Sequence, residues 1–159
     1  MTALSKQVCW VIAVFTLATG LLGCMNKSAP NEAEALRIAV LNLGGQYTKD
    51  AQGKYQYSDK IKLDAVITKG DQDNNLNSLV SCMDDATSSQ TLLEGKAVML
   101  GVLCNQAVTQ LVYYEQADKQ GDIASDWPGY IAPTANIEGL RAAKQAWLKV
   151  LENKTFIKL

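Results

Sequence analysis

Histidine is absent from the 159-residue chain, and that absence removes more chemistry than any motif supplies. Ser-His-Asp and Cys-His nucleophiles need an imidazole base, so acid–base work would fall to lysine or to paired carboxylates. Asp84-Asp85 is the only adjacent acidic pair. Neighbouring residues on a helix point in different directions, so the pair does not by itself supply the facing acid and base of a glycosidase. Asp71, Asp73 and Asn75 match the first half of the calcium loop D-x-[DN]-x-[DN]-G-x₅-E, in which alternate oxygens converge on a hard cation. The second half fails, with Leu76 where glycine must allow a sharp turn and Cys82 where a bidentate glutamate must close the site. Residues 70–75 are therefore read as an exposed acidic loop, and no metal is assigned. Gly44-Gly45 runs into Gln46-Tyr47 and lacks a phosphate-cradling pattern. Cys82 and Cys104 lack C-x-x-C spacing, and no histidine completes a zinc set. Neither a catalytic residue nor a cofactor is predicted.

The chemistry that the residues do specify is covalent and lies near the N-terminus. Lys6 is the only charge among the first 23 residues, and an apolar run from Val8 to Ala18 follows it before Gly20 and the small Gly23. Leu21-Leu22-Gly23-Cys24 closes that run and resembles the lipobox of bacterial lipoprotein precursors. The resemblance covers only the signal and Cys24; no family is recognised for the rest. It implies that Cys24 receives a diacylglycerol thioether and that the preceding bond is then cut. Residues 1–23 would be a removed signal peptide, 24–31 a lipidated cysteine with a short tether, and 32–159 a single globular domain. An uncleaved membrane helix fits less well, because Thr16, Thr19, Gly20 and Gly23 interrupt a run that barely reaches the roughly 20 residues a bilayer needs. Each buried CH₂ of an acyl chain contributes about 0.8 kcal/mol, and more than one chain anchors stably. In such precursors an Asp after the cysteine favours the inner membrane. Met25 stands here, so the expected location is the outer membrane, lipid-anchored and facing the periplasm.

Losing Lys6 leaves 14 basic against 16 acidic residues, and the basic ones are scattered. That pattern gives no electrostatic footprint for nucleic acid. With Cys9 removed and Cys24 acylated, Cys82 and Cys104 remain, an even number in an oxidising space. A disulfide between them is the simplest inference, two buried free thiols the alternative.

The elements that would hold these residues are legible from spacing. Asn31 can cap a helix from Glu32 through Leu43, with acidic residues in its first turn and Gly44-Gly45 as its stop. Residues 54–68 alternate with period two and read as one or two strands, with a turn or a new helix at Ser58-Asp59 left open. Leu76, Leu79, Val80 and Met83 form a short helical stripe ending at Asp84-Asp85. Thr91–Leu93 and Ala97–Leu100 flank Glu94-Gly95-Lys96 as a hairpin. Cys104, Ala107, Val108, Leu111 and Val112 predict a helix over about 101–115, so the disulfide would join two helices across the hairpin.

A loop through Asp118, Gly121 and Asp122 leads into Trp127-Pro128-Gly129-Tyr130, a rigid irregular connection. Trp127 and Tyr130 are a candidate binding surface, with packing over the core as the alternative. Thr134 is expected to cap a last helix whose apolar face is Ile137, Leu140, Trp147, Leu148 and Leu151. Phe156, Ile157 and Leu159 form an apolar tail that docks as a strand or meets a partner.

The fold class is thus α+β and mostly helical: a small single domain of three to four helices, a hairpin or small sheet, and one disulfide. The leading functional expectation is a non-enzymatic accessory or structural binding lipoprotein of the cell envelope, whose partners are the bilayer through acylated Cys24 and an envelope protein. The alternative is an inhibitor or immunity-type protein that blocks a wall- or lipid-active enzyme. A carboxylate hydrolase built on Asp84 and Asp85 is the third.

Overall fold

The computed structural model describes residues 31–114 and 127–159. Helix α1 spans Glu32–Leu41, and its first turn is closed by Asn31, whose Oδ1 accepts the Glu34 N–H at 2.8 Å. Strands β1 (Gln46–Lys49) and β2 (Tyr55–Tyr57) follow, then helices α2 (Lys60–Ile67) and α3 (Gln72–Ser81), a 3-10 turn over Cys82–Asp84, and strands β3 (Ser88–Leu93) and β4 (Lys96–Met99). Helix α4 (Leu100–Leu111) continues directly into β5 (Val112–Tyr114), and α5 (Ile137–Asn153) leads to β6 (Phe156–Lys158). One sheet has the order β2-β1-β3-β4, with β1 and β3 parallel and the other pairs antiparallel; β5 and β6 form a second, antiparallel pair. The molecule is a small α+β domain, mostly helical, with one disulfide.

Helix α4 lies at the centre. Leu100 through Asn105, Ala107, Val108 and Leu111 are all buried, so the helix has no broad solvent face. Cys104, wholly buried on α4, is bonded to Cys82 at the end of α3. The anticipated link between two helices across the hairpin is therefore present. The hairpin itself turns through Glu94 and Gly95, both at positive φ (52° and 78°), a two-residue turn whose twist suits antiparallel strands.

Several boundaries differ from the sequence expectation for identifiable reasons. In 54–68 the second half is helix, because only Leu63 and Ile67, four apart, are buried, while Ile61 is 84% exposed. Residues 70–75 are not an exposed loop. Asp71 Oδ1 accepts the Asn74 N–H at 2.9 Å and starts α3 ahead of its apolar stripe. The helix read over 101–115 stops at Leu111, where Val112 turns extended so that β5 can pair with the C-terminal strand. The cap of α5 is Asn136 rather than Thr134, its Oδ1 accepting the Gly139 N–H at 2.9 Å. The buried face of α5 is Leu140, Ala143, Trp147 and Val150, and Leu148 is 41% exposed. The tail docks as β6 beside β5, with the Leu159 N–H donating to Leu111 O at 2.8 Å.

Two consequences are measurable. The disulfide closes a loop of 22 residues in sequence separation, so Cys82→Ala with Cys104→Ala should lower the unfolding free energy by about 3 kcal/mol in urea titrations. Tyr47, 5% exposed and stacked on Tyr57 at 5.1 Å, has a buried hydroxyl with no partner among the described residues. Burial, and secondarily the neighbouring Tyr57, pushes its pKa well above the ordinary tyrosine value. The unfolded chain then releases the Tyr47 proton from about pH 10 while the folded chain keeps it, so titration adds a further cost to that of the unpaired hydroxyl as pH rises past 10. Tyr47→Phe should raise stability by about 1 kcal/mol at neutral pH and soften the alkaline loss, as read from unfolding midpoints between pH 8 and 11.

Candidate functional site

The Trp127–Tyr130 connection is fixed to the core through one backbone carbonyl. Gly129 O accepts the Asn105 amide from α4 at 2.7 Å and the Trp147 indole N–H from α5 at 2.9 Å. Asn105 and Trp147 are both buried, so each donor would be costly to leave unmade. Gly129 is required by close approach: a Cβ there would lie 2.1 Å from the six-membered ring of Trp127. The turn is closed by the Tyr130 N–H donating to Trp127 O at 3.0 Å.

This anchoring sets an aromatic cluster. Trp127 stacks on Tyr114 at 4.7 Å and meets Trp147 and Tyr130 edge-on at 4.8 and 4.9 Å. Tyr130 lies behind Trp127, also edge-on to Trp147, and its hydroxyl accepts the Tyr114 N–H at 3.4 Å. The two aromatics singled out from sequence, Trp127 and Tyr130, are both partly buried and pack against the core, and Trp127 also lines the cleft described next.

Between this loop and the outer side of α5 runs an open cleft of about 520 Å³, within the range of small-molecule sites. Tyr114, Trp127 and Pro128 make one wall. The other wall is α5, where Ala142 and Ala146 leave depth and Gln145, Lys149 and Asn153 recur every fourth residue along one stripe; Val150 and Thr155 complete the lining. Among the described lining residues none is acidic, and Lys149 is the one cation. From sequence Gln145 and Lys149 read as the solvated face of an amphipathic helix. Ala142 and Ala146 beside them were the available signal that this face is concave, but nothing in the spacing revealed which loop stands opposite.

The charged pair Asp84-Asp85 does different work. Lys144 Nζ donates to Asp84 Oδ1 and to Ser81 O, both at 2.7 Å. Arg37 Nε and Nη2 both donate to Asp85 Oδ2, at 2.9 and 2.6 Å, and Asp85 Oδ1 accepts the Thr87 N–H at 2.8 Å. Each carboxylate is held by its own cation from a different helix. They flank a second depression of about 500 Å³ beside α1 and α3, each already engaged by its own cation. Burial raises the Asp85 pKa, and the Thr87 hydroxyl and N–H together with Arg37 outweigh it, leaving the carboxyl below its ordinary value. The residues of the half calcium motif also diverge. Asp71 caps α3, Asp73 accepts from Lys158 at 2.5 Å, and the Asn75 amide donates to Ile67 O and Lys69 O.

Cys24, with the rest of 1–30, and the loop through Asp118, Gly121 and Asp122 lie outside the described residues. Among the described residues no helix is long and apolar enough to cross a membrane. No family model, curated protein or solved structure matches the chain.

Gly129→Ala should cost about 1–3 kcal/mol by overpacking and shift the tryptophan emission spectrum. The acid side of stability should depend on Asp85. Its folded pKa is depressed, so its contribution is complete above the ordinary carboxyl range and fades as pH falls below about 4. Asp85→Asn should therefore lower stability at pH 7 and flatten the loss between pH 5 and pH 3, followed by thermal unfolding.

Proposed function

We propose that the protein is an outer-membrane lipoprotein, anchored through acylated Cys24 and facing the periplasm, whose domain acts as a non-enzymatic binding module of the cell envelope. The observation that carries this reading is the division of labour among the cysteines. Cys24 stands at the end of Leu21-Leu22-Gly23, while the two cysteines that would remain beside it are joined as Cys82–Cys104 across the core. Structural disulfides belong to oxidising compartments, and that is where a lipoprotein signal would deliver the chain. Helix α1 starts at Glu32, only eight residues beyond Cys24 in sequence, so the tether is short and the module works close to the bilayer surface. The non-enzymatic part of the reading is supported by the absence of histidine and by the structural engagement of Asp84 with Lys144 and of Asp85 with Arg37.

Intact mass of protein extracted from membranes should give an acylated chain beginning at Cys24, and Cys24→Ser should abolish acylation and leave the precursor uncut. Recovery of the wild-type chain with Met1 and no lipid would overturn the anchor. Cross-linking in intact cells followed by partner identification should return an envelope component; a tightly bound wall- or lipid-active enzyme would replace the accessory role with inhibition.

A further inference from the structure

We infer that the free edge of β4 takes an uncharged, extended segment of a partner protein as a fifth strand of the main sheet. This deepens the envelope-binding reading and rests on it for where the partner resides; the edge itself rests on the fold alone. The direction of the main-chain groups follows from the hairpin. Leu93 and Lys96 flank the two-residue turn and form its hydrogen-bonded pair, so the next pair, Leu92 and Ala97, turns its groups outward from the hairpin. On the inner side this is seen directly, the Leu92 N–H donating to Gly45 O at 3.0 Å. The Ala97 N–H and carbonyl therefore point off the sheet. Val98 turns back, its carbonyl accepting the Ser89 hydroxyl at 2.9 Å, and the Leu100 N–H donates to Thr87 O at 2.8 Å, so the Met99 N–H between them points off the sheet as well. No described residue takes up these three groups.

Their spacing selects the ligand. A donor and an acceptor on Ala97 and a second donor on Met99, two residues and about 6.6 Å further on, are matched by the acceptor, donor and acceptor of another extended backbone. Sheet edges are ordinarily blunted by proline, by a charge or by a bulge. Ala97, Val98 and Met99 include none of these residue types, and the irregular register lies on β3. Ala97 is exposed and leaves its backbone uncovered. Beside this edge runs a groove of about 320 Å³ whose other wall is Pro133, Thr134 and Ala135, and none of its lining residues borders 1–30 or 115–126. Because that wall stands next to the strand, a lone segment can enter where the edge of a second folded domain would carry its neighbouring strands into 133–135.

The lining sets the side chains. Val98, Met99, Pro133 and Ala135 are apolar, and Glu94 and Lys96 at the hairpin end cancel in charge. A residue opposite Val98 shares its face of the sheet, so a charge there would lose water without a counter-charge. An aliphatic residue at that position is matched.

The test uses the full chain as isolated from cells and follows amide hydrogen exchange. In the peptide-free chain the Ala97 and Met99 amides should exchange freely although the next amide, Leu100, is held. The probe is the capped pentapeptide acetyl-Thr-Val-Thr-Val-Thr-amide, which should bind saturably and slow both amides at least about tenfold. With its valines on the Val98 side, the central threonine N–H faces β4. N-methylation of that threonine should abolish binding, N-methylation of both valines should leave it unchanged, and glutamate in place of both valines should weaken it at least about tenfold. Ala97→Pro removes an N–H that the sheet does not use, so the fold should persist while the peptide binds at least about tenfold more weakly.

No saturable binding up to about 10 mM, unchanged exchange at Ala97 and Met99, or equal effects of the two N-methylations would each overturn the proposal without recourse to a variant. So would protection of both amides before peptide is added: if it grows with protein concentration, a second copy closes the edge, and if it does not, the chain closes its own. Peptide binding by a chain without lipid at Cys24 would uphold the edge and remove the anchor, and an acylated chain that ignores the peptide would do the reverse.

Discussion

The structure depends on a helix that has no broad face for solvent. Because α4 is buried from Leu100 to Leu111 with only Gln106, Thr109 and Gln110 partly accessible, every neighbouring element must supply an apolar surface to it, and the arrangement of the others follows. α3 and the 3-10 turn cover one side, α1 and α2 another, α5 a third. The hairpin leads into its first residue, and β5 leaves from its last. Burying a helix this fully gives a large hydrophobic gain for few residues, yet it leaves any polar group on that helix in need of an internal partner. Asn105 is one such group and is satisfied by the Gly129 carbonyl, whereas the Gln110 amide on the same helix has buried atoms with no partner among the described residues.

The disulfide and the two ion pairs act at the same corner. Cys82 ties α3 to α4, Lys144 reaches Ser81 and Asp84 from α5, and Arg37 reaches Asp85 from α1. Four helices are therefore cross-linked within four consecutive residues, Cys82 to Asp85 and their immediate neighbour. The ion pairs are partly exposed, and pairs of that kind contribute modestly to stability. Their geometric effect is to define how α1 and α5 sit at the C-terminal end of α3, which covalent and apolar contacts alone leave less specified.

What could be read from the sequence was what repeats locally. The stripe Leu76, Leu79, Val80, Met83 and the hairpin about Glu94-Gly95 depend on residues close in the chain, and both stand where spacing placed them. So does the cap at Asn31. The segment Ile61–Ile67 illustrates the opposite case. Its alternating apolar residues satisfy a strand pattern, and only contact with the core separates the buried pair Leu63 and Ile67 from the exposed Ile61 and Ala65. The parallel pairing of β1 with β3 was beyond reach for the same reason, since Gln46 and Leu92 meet across more than forty residues. Half of the cleft was visible as Trp127 in a rigid loop. The other half, on α5, became visible only once Asn105 and Trp147 were seen to hold that loop against the helix.

The two walls of the cleft differ in how freely they can vary. The loop wall shares a carbonyl with two buried donors and contains a glycine that no other residue can replace without displacing Trp127. The helix wall is built from Ala142, Gln145 and Lys149, all exposed and on a face opposite the one that packs. Substitutions there touch little of the core and change stability by only a few tenths of a kcal/mol. The cleft thus joins a fixed half, whose identity is tied to folding, to an interchangeable half, where a few surface side chains on a single helix can change while the scaffold stays the same.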